Sequence, residues 1–176
     1  GNMYVIRNQD IPFGRFRDKS LPIDNISGFD VSKESLILAA PFEEIVNSTL
    51  LFAATDGFIK QVSGTEFNVL TRKSIIATRL NDGARLASVM CIDNAVSCAL
   101  ITDNDMVLKM SITDIPEKKK TAIGVRGIKL KKGASVVTGA LCFQGKENTV
   151  KLGELTVSLN DYRNAGRDTA GKKIRK

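Results

Sequence analysis

The chain has 176 residues, 26 Lys and Arg against 19 Asp and Glu, and no histidine. That length suits one or two domains with a real core, and the net charge of +7 favours an anionic partner. Without histidine, Ser-His-Asp and Cys-His catalysis and every histidine-containing metal site are excluded.

Short apolar runs follow one another along the chain. Strands are predicted at Tyr4–Ile6, Leu36–Ala40, Leu50–Ala54, Phe58–Val62, Ile75–Ala77, Leu86–Ile92, Val96–Ile101, Met106–Met110, Gly127–Leu130, Ser135–Phe143 and Leu155–Leu159. Turn signals lie between them: Asp56-Gly57, Asp82-Gly83, Asp103-Asn104-Asp105, Lys132-Gly133 and Gly145. No window carries a helical stripe over three turns, so the fold class is all-β. Apolar runs of about ten residues are too short to span a bilayer. Cys91, Cys98 and Cys142 sit in apolar runs without metal spacing, as reduced, buried thiols of a cytosolic protein do.

The strands repeat. Residues 77–89 (ATRLNDGARLASV) align with 127–139 (GIKLKKGASVVTG) at an offset of 50, matching Leu80 to Leu130 and Gly83 to Gly133. Asp10-Ile11-Pro12 recurs as Asp114-Ile115-Pro116, and Glu66-Phe67 and Asp161-Tyr162 complete the series. Four units result, roughly 3–46, 47–96, 97–146 and an incomplete 147–176. Each has a hairpin (52–62, FAATDGFIKQV; 100–110, LITDNDMVLKM), an acidic corner, a basic loop and a return strand. A period of about 50 residues with four short strands is the mark of propeller-like blades. One blade cannot bury both its faces, so the whole of 1–176 is predicted as a single domain.

Charge is uneven. Residues 97–176 carry a net +8, while the first unit is acidic and contains Glu43-Glu44. After each corner come cations: Arg15, Arg17 and Lys19; Arg72 and Lys73; Lys118, Lys119 and Lys120; Arg163 and Arg167. Equivalent units put these loops at the same height on successive blades, forming an arc suited to duplex phosphates. Arg126, Lys129, Lys131 and Lys132 around the Gly124-Val-Arg-Gly127 turn, and Lys172 and Lys173 near the end, extend the set. The two glycines permit a tight turn or close approach of backbone to phosphate. On a strand, Lys129 and Lys131 face one side while Ile128 and Leu130 face the other. Aromatic residues are not expected to interleave these cations, which argues against a single-strand stacking platform.

No phosphate-binding Gly-rich motif with a following helix occurs, and no cofactor or metal is expected. Glu43-Glu44, Asp103 and Asp105 read as turn formers, and Tyr4 and Tyr162 as packing residues, so no catalytic residue is assigned. A protein-interaction scaffold is the alternative, suggested by the acidic first unit.

Residues 50–62 (LLFAATDGFIKQV), 77–83 and 121–137 (TAIGVRGIKLKKGASVV) resemble the C-terminal domain of bacterial type IIA topoisomerase A subunits, the family of the DNA gyrase and topoisomerase IV A subunits. The family's repeats read T-x-x-G-x-V-K followed by R-x-x-x-G-V-x-G-I-x-L-x-x-G-D-x-V, and the likeness covers almost the whole chain. It implies a β-pinwheel, a propeller-like disc whose blades exchange strands, here partial or open. It also implies a non-catalytic domain that holds and bends double-stranded DNA beside a cleavage core. The catalytic tyrosine would lie outside this chain, the partners would be the rest of the A subunit together with its ATP-dependent B subunit, and the setting would be the bacterial cytoplasm near the nucleoid. Ala134 replaces the usual acidic residue, Asp105 a usual turn glycine, and the Q-R-R-G-G-K-G box of gyrase is absent. Topoisomerase IV is the nearer expectation on that ground.

Overall fold

A computed structural model describes residues 1–19, 21–69 and 73–175. Its elements in chain order are β1 (Asn2–Tyr4), α1 (Phe42–Asn47), β2 (Thr49–Ala54), β3 (Phe58–Ser63), β4 (Ser74–Ile76), β5 (Leu86–Cys91), β6 (Ala95–Thr102), β7 (Met106–Ser111), β8 (Val125–Arg126), β9 (Val136–Phe143), β10 (Thr149–Leu152), β11 (Leu155–Ser158) and β12 (Lys172–Lys173). Short 3-10 turns at Asn8–Asp10, Gly64–Phe67, Ile112–Asp114 and Leu159–Asp161 form the acidic corners.

The strands make two four-stranded sheets, ordered β5-β2-β3-β8 and β12-β7-β6-β9, and two two-stranded sheets, β1-β4 and β10-β11. Every ladder is antiparallel. The outermost strand of each four-stranded sheet comes from the next repeat: β8 follows the β6-β7 hairpin in sequence yet pairs with β3, and β12 follows the β10-β11 hairpin yet pairs with β7. A blade is thus assembled from two consecutive units, which is the β-pinwheel arrangement.

Alternation along the inner strands explains the stacking. Leu50 and Phe52 face a cluster with Val62, Phe67, Ile75 and Ala77; Leu51 and Ala53 face another with Cys98, Leu100, Ile115 and Ile128. On β6, Cys98 and Leu100 face that same second cluster, while Ala99 and Ile101 face a third with Val157, Leu159 and Ile174. Both faces of β2 and β6 are therefore buried, and each apolar layer lies between neighbouring blades. Cys98 and Cys142 are buried free thiols and Cys91 is a half-buried one.

Hairpin turns follow the residue types. Asp56 accepts from the Phe58 amide at 3.3 Å, and Gly57 takes φ +85°. The matching turn of the next blade places Asp105 at φ +63°, a left-handed conformation that aspartate tolerates better than most side chains. Asp103 accepts from the Ser135 amide at 3.0 Å and its hydroxyl at 2.8 Å, which holds its carboxyl below the usual carboxylate range. That is a turn-forming role, as its sequence context suggests.

Several sequence expectations change. The strand expected at Tyr4–Ile6 lies at Asn2–Tyr4, and Glu43 and Glu44, read as turn formers, lie in a helix. Leu36–Ala40 forms no strand; the chain instead turns into α1 after Pro41, with Glu43 and Glu44 in its first turn and Ile45 buried. With six residues and one buried position, this helix is too short to leave a periodic stripe. The strand predicted at Gly127–Leu130 begins earlier, at Val125–Arg126, and continues only as a single parallel bridge between Ile128 and Thr169. Ile128 is nonetheless buried, Leu130 half-buried, and Lys129 and Lys131 exposed, so the predicted facing persists. Among the described residues the first unit supplies one strand of a two-stranded sheet completed by β4 of the second unit, and the last unit supplies the two-stranded β10-β11 sheet.

The glycines ahead of the exchanged strands serve the exchange itself. A Cβ at Gly124 would lie 2.7 Å from the Ile59 carbonyl oxygen, and one at Gly171 would lie 2.6 Å from that of Val107. Their close approach is to neighbouring protein backbone. Gly133 has a similar positive φ but open space around it. Gly133→Ala should therefore cost about 1–2 kcal/mol of left-handed backbone strain, and Gly124→Ala clearly more, because it also separates β8 from β3. Urea denaturation of the two variants side by side checks the order.

Candidate nucleic-acid interface

The exchanged strands decide which cations are neighbours. After β8, the Lys129 amide donates to the Thr169 carbonyl at 2.9 Å, and the Asp168 amide donates to Gly127 at 2.7 Å. Arg167 donates through Nη1 to the Arg126 carbonyl at 3.2 Å, and Arg126 pairs with Asp168 at 3.4 Å. Residues 126–129 therefore adjoin 167–169, and the basic segments that contain them, 126–132 and 163–173, meet there although 30 residues separate them in sequence. Arg126, Lys129, Lys131, Lys132, Arg163, Lys172 and Lys173 are exposed there; Arg167 is half-buried.

The loop of 118–120 crosses the edge of the preceding blade. Gln61 and Glu117 form a parallel bridge, and the Lys118 amide donates to the Gln61 carbonyl at 2.8 Å. Lys118 and Lys119 are exposed, but Lys120 is half-buried. The Lys120 amide donates to the Glu66 carboxylate at 2.9 Å, while its Nζ donates to the Glu66 carbonyl at 2.7 Å and lies 5.8 Å from the Phe67 ring centre. Its ammonium is thus engaged by the preceding corner. In the first unit, Arg15, Arg17 and Lys19 are exposed, and the Arg15 amide donates to Asp18. Lys73 is exposed beside β4; Arg72 lies outside the described residues.

Composition does not announce the buried fasteners that hold these loops. Lys60 is 1% exposed and sits opposite Phe52, whose ring centre is 5.5 Å from its Nζ. That Nζ donates to the carbonyls of Lys119 at 3.3 Å, Lys120 at 2.9 Å and Ala122 at 2.6 Å. Beside it, Gln61 donates to the carbonyls of Ile112 and Ile115, both at 2.8 Å. Lys109, the counterpart of Gln61 one blade on, donates to the Leu159 carbonyl at 3.0 Å. Each side chain reaches forward to the corner or loop of the following unit. A lysine in an alternating strand reads as solvent-facing; only the crossing of the next loop reveals why this one is buried.

Among the described residues no three His, Cys, Asp or Glu side chains gather as a metal site, and no helix is long and apolar enough to cross a membrane. A cleft of about 570 Å³ near Lys109, Lys146 and Asn160 is shallow and includes Glu147.

Blade-like sheets, strand exchange between consecutive units and a loop of cations after each corner define a propeller-like repeat domain of the pinwheel class. The family model of the DNA gyrase C-terminal domain, a beta-propeller, matches residues 48–93, 97–142 and 155–176, and the chain belongs to that family. The DNA gyrase A protein of Ureaplasma parvum is 29% identical over 175 residues, covering 97% of this chain and 21% of that protein. The corresponding protein of Buchnera aphidicola is 30% identical over 139 residues, covering 78% of this chain and 16% of its own length. Among solved structures, the C-terminal domain of DNA topoisomerase IV superposes with a TM-score of 0.82 at 23% identity, over 94% of this chain and 53% of that one. The DNA gyrase A C-terminal domain gives 0.71 at 16%, over 89% and 53%. The chain thus spans about a fifth of the first of these gyrase proteins and about half of each solved domain.

Burial lowers the Lys60 ammonium to about 8, with Glu66 acting in the opposite direction. Below that pH the folded protein carries the cost of a desolvated charge, and the cost disappears as pH rises from about 8 towards the ordinary 10.5. The stability of the wild type relative to Lys60→Met should therefore increase over that range. At pH 7 the variant should lose about 1–3 kcal/mol, because three carbonyls lose their donor. Amide exchange across 118–122 should accelerate with it. Denaturation at stepped pH and hydrogen exchange measure both effects.

Proposed function

We propose that this chain is a non-catalytic domain that holds and bends double-stranded DNA as part of a type IIA topoisomerase A subunit. One observation supports the reading: backbone hydrogen bonds set 127–129 beside 167–169, so that the exposed cations Arg126 and Lys129 lie near the basic segment 163–173. The family relationship points the same way. Phosphates lie along a continuous path, so a fixed row of cations matches the duplex backbone without selecting bases.

The mechanism is electrostatic. Lys129, Lys131, Lys132, Lys172 and Lys173 release counterions from one stretch of phosphates; Lys118 and Lys119 do the same one step along the repeat. Lys60 and Lys120 fix the loop and do not touch DNA. If successive blades present their cations along a curved path, as in a pinwheel, phosphates following that path bend with it. Strand passage itself belongs to the remainder of the A subunit, acting with an ATP-dependent B subunit, both outside this chain. The same assignment places it in the bacterial cytoplasm.

Fluorescence anisotropy with a random-sequence duplex, repeated across a potassium chloride series, tests the reading. The wild type should bind at low salt with a steep loss of affinity as salt rises, and with little sequence preference. Lys118→Ala/Lys119→Ala should flatten the log–log salt slope by about 2, near one for each phosphate no longer neutralised. Lys129→Ala/Lys131→Ala/Lys132→Ala should flatten it by about 3. End-to-end energy transfer on a labelled duplex should rise on binding. A wild type with no affinity at low salt would refute DNA binding, and slopes unchanged in both variants would remove these residues from the contact path.

A further inference from the structure

The loop after the first corner departs from the expectation that its cations lack aromatic neighbours. Phe13-Gly14-Arg15-Phe16-Arg17 sets two rings among the cations, and both are fully exposed, at 99% for Phe13 and 105% for Phe16. Counted from the acidic residue of each corner, Phe16 occupies the place that Lys120 holds two units later. Lys120 is fastened to Glu66 and Phe67. Phe16 lies wholly in solvent. Exposing a phenylalanine side chain forgoes about 1.5–3 kcal/mol of burial, so two such rings three positions apart call for a ligand.

The chemistry around the rings narrows what that ligand is. Arg15, Arg17 and Lys19 are exposed, and Asp18 is the one acidic residue between 11 and 19. Its carboxylate already accepts the Arg15 amide. The segment is thus a cationic island in a unit that is otherwise acidic. A ligand that offers flat apolar faces together with negative charge is a nucleic acid whose bases are unstacked. Stacking a base on an aromatic side chain contributes about 1–3 kcal/mol, and apolar wedges at a base step are a common way to kink a duplex. A three-residue separation spans at most about 10 Å, enough to address neighbouring bases on one strand.

We propose that Phe13 and Phe16 form a stacking site for unstacked DNA bases, with Arg15 and Arg17 on the flanking phosphates. This rests on the DNA-binding reading above and adds base contacts to it. The basic tract holds the backbone, whereas this loop engages a base step that is already open or is opened at a bend.

Two arms test it. Phe13→Ala/Phe16→Ala and Phe13→Leu/Phe16→Leu are compared with the wild type on a duplex and on one of its strands. Affinity is read by anisotropy, and base unstacking by permanganate reactivity of thymines. Both variants should weaken single-strand binding at least about fivefold, as expected for lost stacking on even one base. Leucine should not rescue, because bulk without a π-face does not stack. Duplex affinity should fall less, with an unchanged salt slope, and the enhanced thymine reactivity of the wild-type complex should disappear in the alanine variant, whereas leucine can still wedge at a base step. Reactivity enhanced within the duplex assigns the site to a bend; an effect confined to the single strand assigns it to opened DNA.

Single-strand affinity and thymine reactivity equal to wild type in both variants would overturn the site. So would a shift in oligomeric state or in melting temperature in the alanine variant, which would show that the rings pack against protein. If the wild type binds duplex and the phenylalanine variants match it, only this inference fails. If the wild type binds no DNA at all, the underlying function fails first.

Discussion

The constraint on which the domain depends is that β2 and β6 are apolar on both faces. A sheet of that kind cannot sit at a protein surface, so each requires a neighbour on either side. Exchange meets the same requirement at the sheet's edge. Val125–Arg126 and Lys172–Lys173 supply the outer strand of the blade before their own, pairing groups that would otherwise be left at an open edge. Adjacent blades then share both an apolar layer and a backbone ladder.

The meeting of two basic segments is a product of that exchange. Because 126–132 must leave β3 and return to β9 one blade later, it crosses the seam between blades and meets 167–169 there. Its glycines let the backbones approach within a distance that side chains would block. The buried Lys60 ammonium and the Gln61 amide then tie the next corner and loop to the same strand, so the exposed Lys118 and Lys119 extend from an anchored base. Charge is presented by residues with little structural commitment, and held in place by residues with little exposure.

Much of this is written in the sequence. The hairpins at 52–62 and 100–110, the Asp-Gly turns and the recurrence of acidic corners mark the blades, since they rest on local alternation and turn chemistry. The likeness of 121–137 to the gyrase family carried the exchange of strands. The direction in which side chains serve the next unit was not legible. Lys60 looks like any solvent-facing lysine, and Lys120 looks like its two neighbours, because their partners lie about 50 residues away and are set by the path of a loop. α1 was hidden by its brevity. Phe13 and Phe16 stood in plain view among the cations, and only their complete exposure gives them weight.

The exchange has a mechanical consequence. A ligand gripped by Lys129, Lys131 and Lys132 pulls on a segment whose two ends are hydrogen-bonded into different sheets, β8 in one and β9 in the next. Tension along that segment loads both ladders in shear, with several bonds resisting together, rather than peeling one edge bond by bond. Under the proposed function, a stiff polymer bent over this surface would push back against two blades at once, and the force would pass along the covalent chain from one unit to its neighbour.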